Sequence, residues 1–322
     1  MKQFTAGKNE QGMRLSRFVQ RTAVKLPSSA MYKAFRNRRI KVNGHRAAPD
    51  ALLQEGDVVQ MYLNDEFFCE TPISEKRAPQ KSKYPMRVVY EDENIAVLYK
   101  PAHLLCHSDK TGDDSLVDQF TAYLTQKGEY VPQGESSFAP AIANRLDRGT
   151  EGLVLAAKNR PALRELNAII RQDQLQKQYF CITAGRPPQG VHQAYLRHFE
   201  KGNRVRVQSE SAPEYKKIIT SVQVLRTCGP YSLCSIGLFT GRTHQIRAHL
   251  AYLGAPVLGD IKYGSRKMNE RAGLRTQALC AASITFGQLA PDSCLSYLSG
   301  QRIALEDTGV QAQFRALCEP RK

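Results

Sequence analysis

The chain has 322 residues, 42% of them hydrophobic and 24% charged, the balance of a soluble globular protein with room for one to three domains. Its formal net charge of +16 suits a polyanionic partner, and no apolar run approaches the roughly 18 residues that cross a bilayer. The excess is spread along the chain without a basic amphipathic helix or lipidation motif, which favours nucleic acid over a membrane surface.

The N-terminus, Met1 to Lys8, has no apolar stretch to act as a signal peptide, so a cytoplasmic protein is expected. From Met13 the spacing becomes helical, with Leu15, Phe18, Val19 and Thr22 on one stripe and Arg14, Arg17 and Arg21 on the other. Pro27 and Ser28-Ser29 are expected to open and cap a second helix, whose Met31, Ala34 and Phe35 face inward. It ends in the cationic tip Arg36-Asn37-Arg38-Arg39. A strand Ile40-Lys41-Val42, an Asn43-Gly44 hairpin turn and an alternating strand through Val59, Met61 and Leu63 follow. Residues 1–65 hold twelve Lys or Arg against five acids, which suits a surface that tracks phosphates as well as it suits a solvated face.

This segment resembles the S4 RNA-binding domain. The likeness rests on Arg14-Leu15-Ser16-Arg17-Phe18, Ser28-Ser29, Arg39-Ile40-Lys41-Val42-Asn43-Gly44 and Gly56-Asp57-Val58-Val59, and spans residues 13–63. It implies a small αL-type domain over 1–66 that docks structured RNA through its second helix and hairpin. Lys33, Arg36, Arg38, Arg39 and Lys41 are then the candidate RNA contacts.

Residues 67–84 lack periodicity, are rich in Pro and charge, and read as a flexible linker. A second domain, 85–322, opens with strands at 87–90 and 95–99 around the acidic turn 91–94. Pro161 lies in the first turn of a helix with Leu163, Leu166 and Ile170 inward. Strands are expected at 179–183, 191–199, 215–226 and 231–240. Gly241-Arg242-Thr243 is expected to cap a helix carrying Ile246, Leu250 and Leu253, closed by Gly254. Many strands with few helices point to an α+β domain on a mixed, mainly antiparallel sheet.

None of the eight cysteines forms a Cys-x-x-Cys pair, so reduced buried thiols are expected. His244 and His249 miss the spacing of a helical metal pair, and His103, Cys106 and His107 lack a fourth ligand, so no metal site is expected. There is no Gly-x-Gly-x-x-Gly or phosphate-binding loop, and no cofactor is expected.

The loop Asn144-Arg145-Leu146-Asp147-Arg148-Gly149-Thr150-Glu151-Gly152 sets one aspartate between two arginines ahead of an apolar strand. Taken alone, Asp147 reads more readily as an exposed loop acid than as a nucleophile or base. Two distant segments change that: Lys177-Gln178-Tyr179, and Gly241-Arg242-Thr243-His244-Gln245-Ile246-Arg247-Ala248-His249, running on to Gly259-Asp260-x-x-Tyr263-Gly264. Three motifs in this order, over about 86–290, resemble the pseudouridine synthases that modify ribosomal large-subunit RNA and some transfer RNAs. Two loop positions depart from the family's usual pattern, Asn144 standing for His and Glu151 for Ser. Cys280 likewise replaces a usual histidine in the late apolar motif.

The resemblance implies that Asp147 is the catalytic carboxylate, attacking the base or the sugar, or accepting a proton. Such a carboxylate has to stay ionised, which calls for a cation against it, and Arg247 resembles that partner. Tyr179 resembles the tyrosine that stacks on the target uracil. Arg145 either fills the space of a flipped-out base or braces the loop. Arg242 and Lys177 are candidate phosphate or loop-support cations, and Leu279 a candidate wall of the uracil pocket. The function implied is isomerisation of uridines in structured RNA, 23S ribosomal RNA first and transfer RNA as the alternative, by a monomer without metal, cofactor or membrane. A non-catalytic RNA-binding or ribosome-assembly factor is the reading of a different class.

Overall fold

The helical and alternating spacings near the N-terminus fold around one apolar cluster. In a computed structural model, which describes residues 1–68, 84–109, 113–131, 138–200 and 202–319, strands β1 (Lys2–Thr5), β2 (Ile40–Val42), β3 (His45–Arg46) and β4 (Val58–Met61) form an antiparallel sheet in the order β1-β4-β2-β3. Helices α1 (Leu15–Thr22) and α2 (Ser28–Arg36) bury Leu15, Phe18 and Val19, and Met31, Ala34 and Phe35. These pack with Ile40, Val59 and Met61, so the apolar stripes read in the sequence are the core. Asn43 and Gly44 both take positive φ, as a two-residue hairpin turn requires.

Two expectations need amendment here. The N-cap of α2 is Pro27, and neither Ser28 nor Ser29 caps it; both lie inside the first turn. β1 is an added edge strand, invisible in the sequence because four residues with one aromatic carry too little periodicity. Phe67 and Phe68 pack against this core, and the rest of the expected linker, 69–83, lies outside the described residues.

The chain falls into two units, Met1–Ser82 with Asp118–Ala141 and Lys158–Pro161, and Lys83–Val117 with Ile142–Ala157 and Ala162–Lys322. Elements following β4 are β5 (Arg87–Glu91), β6 (Ile95–Lys100), α3 (Leu116–Gln126), β7 (Ala141–Ile142), β8 (Glu151–Ala157) and α4 (Arg160–Arg171). Then come β9 (Leu175–Ala184), β10 (Gly190–Phe199), β11 (Arg204–Gln208), β12 (Lys216–Cys228), β13 (Tyr231–Leu238) and α5 (Gln245–Tyr252). α6 (Arg266–Ala272), β14 (Leu279–Phe286), β15 (Arg302–Ala304) and α7 (Gly309–Cys318) complete the order.

The long sheet runs β11-β10-β12-β13-β9-β14-β8-β6-β5, with β15 on β14 and β7 on β8. Among the registered pairs only β8 and β14 are parallel, so the architecture is α+β on a mixed, mainly antiparallel sheet. The parallel contact sits at the centre of the site's scaffold. Gly152 (φ +118°) makes it possible, because a Cβ there would collide with the backbone of Ala281.

α4 turns Ala162, Leu166 and Ile169 fully inward, with Leu163 and Ile170 at the margin, a rotation of the expected stripe. The strand bearing Tyr179 begins at Leu175, so Lys177 lies inside it rather than at its opening. β13 ends at Leu238, two residues early, because the chain leaves the sheet to form the turn ahead of α5.

Candidate active site

The turn that carries Asp147 is fixed from three sides. Its own first bond is Thr150 N–H to the Asp147 carbonyl, 3.0 Å. The buried Lys100, at the end of β6, donates its ammonium to the carbonyls of Pro101, Leu104 and Arg148 at 2.9, 2.9 and 3.2 Å. His103 N–H reaches the same Arg148 oxygen at 2.7 Å. Burial lowers Lys100 to about 8, with the charges near Cys106, Asp147 and Glu151 working against that shift. The Cys106 thiol faces Leu146 and takes its N–H at 3.2 Å. Gln277 donates to the Thr150 hydroxyl from the strand side.

α5 supplies the partner. Its N-cap is His244 in the left-handed conformation (φ 55°), one residue past the Gly241-Arg242-Thr243 segment expected to cap it. The Gln245 side chain ties down the turn ahead of the helix: its Oε1 accepts from the Arg242 amide (3.0 Å) and the Thr240 hydroxyl (2.9 Å), while its Nε2 donates to Ile219 O. His249, one turn on, bonds the Thr220 hydroxyl through Nδ1 at 3.0 Å. These contacts lock α5 to β12 and leave Arg247 on the other side, facing the turn.

Arg247 bridges two carboxylates. Its Nη1 lies 2.8 Å from Asp147 Oδ2, and its Nε and Nη2 lie 2.7 and 3.0 Å from the two oxygens of Asp260. Burial works against both ions of the inner pair, but the mutual bonds outweigh it: Arg247 is raised and Asp260 lowered from their ordinary values. The amides of Lys262 and Tyr263 also donate to Asp260 Oδ1, at 2.8 and 3.1 Å. His244 Nε2 stands 3.9 Å from Asp147, and its Nδ1 bonds the Tyr263 hydroxyl. Burial takes His244 down to about 4, against the pull of Asp147, so the ring is neutral at pH 7.

A cavity of about 250 Å³ opens over this pair, lined among others by Arg145, Asp147, Lys177, Tyr179, Arg242, Arg247 and Leu279. Thus the seven residues singled out in the second domain surround one space. Tyr179 is buried, and burial with the charge of Asp147 pushes its phenol well up, keeping it neutral. Arg145 and Arg242 are exposed at the mouth, Leu279 is buried in the wall, and burial lowers the Lys177 ammonium. In the N-terminal unit, Lys33, Arg36, Arg38 and Arg39 are exposed, and Lys41 leans on the Tyr62 ring at 5.5 Å.

Sequence reasoning assigned no role to Asp260, Gln245, His244 or Lys100. Asp260 could have been found, since it stands in the Gly259–Gly264 segment that completes the third motif. The three atypical positions are also explained. Asn144 Oδ1 accepts the Leu155 N–H at 2.7 Å, extending the β7–β8 ladder by a side chain. Glu151 accepts from the Tyr99 hydroxyl at 2.9 Å and stands directly across the parallel ladder from Cys280. The two outliers are therefore neighbours. Burial and Glu151 push the Cys280 thiol far up, which makes it inert.

The cleft, in which a buried arginine holds a carboxylate beside tyrosine and leucine, lies in a chain that the comparisons place among enzymes. The RNA pseudouridylate synthase family model matches residues 94–252, and the chain belongs to the RNA pseudouridine synthase family. An uncharacterized RNA pseudouridine synthase of Mycoplasma capricolum subsp. capricolum is 30% identical over 94% of this chain and 97% of its own. The ribosomal large subunit pseudouridine synthase C of Haemophilus ducreyi is 30% identical over 88% of this chain and 87% of its own. Among solved structures, human RNA pseudouridylate synthase domain containing 4 shares the fold, with a TM-score of 0.55, 20% identity, and 72% of this chain and 92% of that one covered.

Proposed function

We propose that this enzyme isomerises uridines of 23S ribosomal RNA, with Asp147 as the catalytic carboxylate. The observation that carries this reading is the Arg247 bridge between Asp147 and Asp260. It holds one Asp147 oxygen and leaves the carboxylate 21% exposed toward the cavity. The isomerisation breaks the N1–C1′ bond, turns the base and joins C5 to C1′; C5 gives up its proton and N1 takes one. Every heavy atom of the base is retained, so the chemistry asks for a positioned carboxylate and a confined base.

The cavity suits that task. At about 250 Å³ it is smaller than the roughly 300–1,000 Å³ of pockets for drug-sized ligands, and holds one base. Tyr179 and Leu279 supply flat and apolar walls. Arg145 fills the gap that an extruded nucleotide leaves, a role that its exposure at the mouth supports. The first 66 residues act as an S4-like RNA-binding domain, which the exposed row Lys33, Arg36, Arg38 and Arg39 supports. A structured ribosomal target fits that second contact, and the names of several relatives point the same way.

The test is release of tritium from RNA labelled at uridine C5. Wild-type protein should release it from large-subunit ribosomal RNA. Asp147→Asn should lose turnover altogether while still binding RNA; full activity in that variant would remove Asp147 from the chemistry. Mapping of pseudouridines in total RNA, with and without the gene, checks the substrate: sites confined to transfer RNA would overturn the ribosomal assignment.

A further inference from the structure

The β11-β10-β12 end of the long sheet presents two unlike faces. Strand register sorts the side chains, since directly paired residues of antiparallel strands point the same way. One face holds Ala194, Leu196, Val205 and Ile218, buried with Ala248 of α5 and flanked by Tyr263. On the other, Tyr195 pairs with Lys217, Arg197 with Arg206, and Phe199 with Arg204. Cations and aromatics thus interleave across three strands.

An outward row of charges alone would be an ordinary solvated face. Two features set this one apart. Phe199 remains 37% exposed beside Arg204 and Arg206, both exposed, instead of being covered by an element of the fold. The Arg197 guanidinium lies 4.9 Å from the Phe199 ring, and its carboxylate partner Glu214 sits at 2.6 Å, which leaves the edge strand's arginines as the excess charge.

The face meets the cleft side of the sheet at the β10–β11 turn. Lys262 follows Asp260, the inner ligand of Arg247, and its ammonium donates to the carbonyls of Gly202 and Asn203 in the β10–β11 turn, at 3.4 and 2.7 Å. Burial and the charges of Arg247 and Arg204 lower the Lys262 ammonium, a sign that cations converge between site and wing. Cations therefore run from Arg247 to Lys262 and on to Arg204, around the end of the sheet where the edge strand begins.

We propose that this face is a second RNA-contact surface, which takes the unpaired segment next to the target uridine. Arg204 and Arg206 receive phosphates, and Phe199 and Tyr195 offer rings to unstacked bases. Single-stranded RNA is the occupant that matches both halves of the surface, because a duplex hides its base faces and an acidic peptide has no use for stacking rings. The inference rests on the RNA-modifying reading of the adjacent site.

The probe is fluorescein-labelled oligouridylate of about ten nucleotides, within the site size of known stacking platforms, with a duplex of equal length beside it. Binding to the full-length chain is followed by anisotropy from low to high salt. Arg204→Glu with Arg206→Glu should weaken oligouridylate about tenfold and flatten the salt slope by about 0.7 per lost contact. Phe199→Ala should weaken the oligouridylate several-fold and leave the duplex unaffected. Folding of each variant is checked by circular dichroism and urea midpoint. Photo-crosslinking of wild type with an iodouridine-containing oligomer needs no variant, and should map to the peptide that holds Tyr195 and Phe199.

Crosslinks that avoid this strand, together with unchanged affinities, would overturn the proposal. So would polyglutamate that competes as well as RNA does. Failure of tritium release from ribosomal RNA would instead strike the catalytic reading, and the oligouridylate measurements separate the two.

Discussion

Arg247 has to satisfy two carboxylates at once, which makes it the least replaceable side chain of the site. A lysine keeps the charge but has no planar fork, so it cannot hold Asp260 through two bonds and still reach Asp147. Arg247→Lys should therefore cut kcat on the order of a hundredfold, the scale set by losing one organised charge contact. Arg247→Met should do more, since it strands the fully buried Asp260; removing one partner of a buried pair costs about 3–5 kcal/mol. Urea denaturation of the two variants separates these effects: equal stability losses would contradict them. Lys100 acts behind the loop. Lys100→Met takes the ammonium from the Pro101 and Leu104 carbonyls, at about 1–3 kcal/mol for each buried group left unpaired, and leaves the Arg148 carbonyl beside Asp147 to the His103 N–H alone. Single-turnover rates on bound RNA should fall along with the melting temperature. A variant that melts early but reacts at the normal rate would show that Lys100 stabilises the unit without positioning the turn.

At the scale of elements, α5 is unusual in burying polar residues on nearly every side, and each has a reason. Gln245 and His249 anchor it to β12, while Arg247 and His244 face the turn that carries Asp147. Two of these carry a pH signature. Burial takes both His244 and His249 from 6.5 to about 4, so the folded protein keeps them neutral where the unfolded chain takes up protons. Stability is then unaffected by these groups above pH 6.5 and falls as pH drops from 6.5 to 4. The urea midpoint should be lower at pH 5 than at pH 7, and His249→Gln should shrink that difference; an undiminished difference would point to other groups.

The same helix shows what the sequence could tell. Its motif announced Arg247 and the link to Asp147, because chemistry restricts which residues can occupy those positions. It did not announce that Gln245 would tie the turn before the helix to β12 or that Asp260 would hold the arginine, since side-chain bonds across β12 and the following loop leave no periodic trace. Strands with alternating residues, such as β12, were legible, and the Arg204-Val205-Arg206-Val207 alternation of β11 is a signal of the same kind; β1, four residues with one aromatic and no turn signal before it, carries none. Asn144, Glu151 and Cys280 stood out as departures from a pattern, but only the pairing of β8 with β14 explains why the last two accompany each other.

For the molecule as a whole, the +16 charge has to be distributed where RNA can use it, and +7 of it falls within residues 1–65. There the cations crowd the end of α2 and the turn after it, with Arg38 in a left-handed conformation that turns the chain toward β2. If this tip holds the RNA backbone, its arginines act through counterion release, and their contribution is read from salt dependence rather than from affinity at one condition. Arg36→Glu with Arg39→Glu should weaken binding to large-subunit ribosomal RNA by tenfold or more at low salt. The slope of log affinity against log salt should drop by about 0.7–0.9 for each phosphate contact removed. Both positions are exposed and lie outside the apolar cluster, so the urea midpoint should hold. If the slope stays at the wild-type value, the charge of the N-terminal unit serves solubility and RNA is held elsewhere, by the cleft mouth and the strands around it.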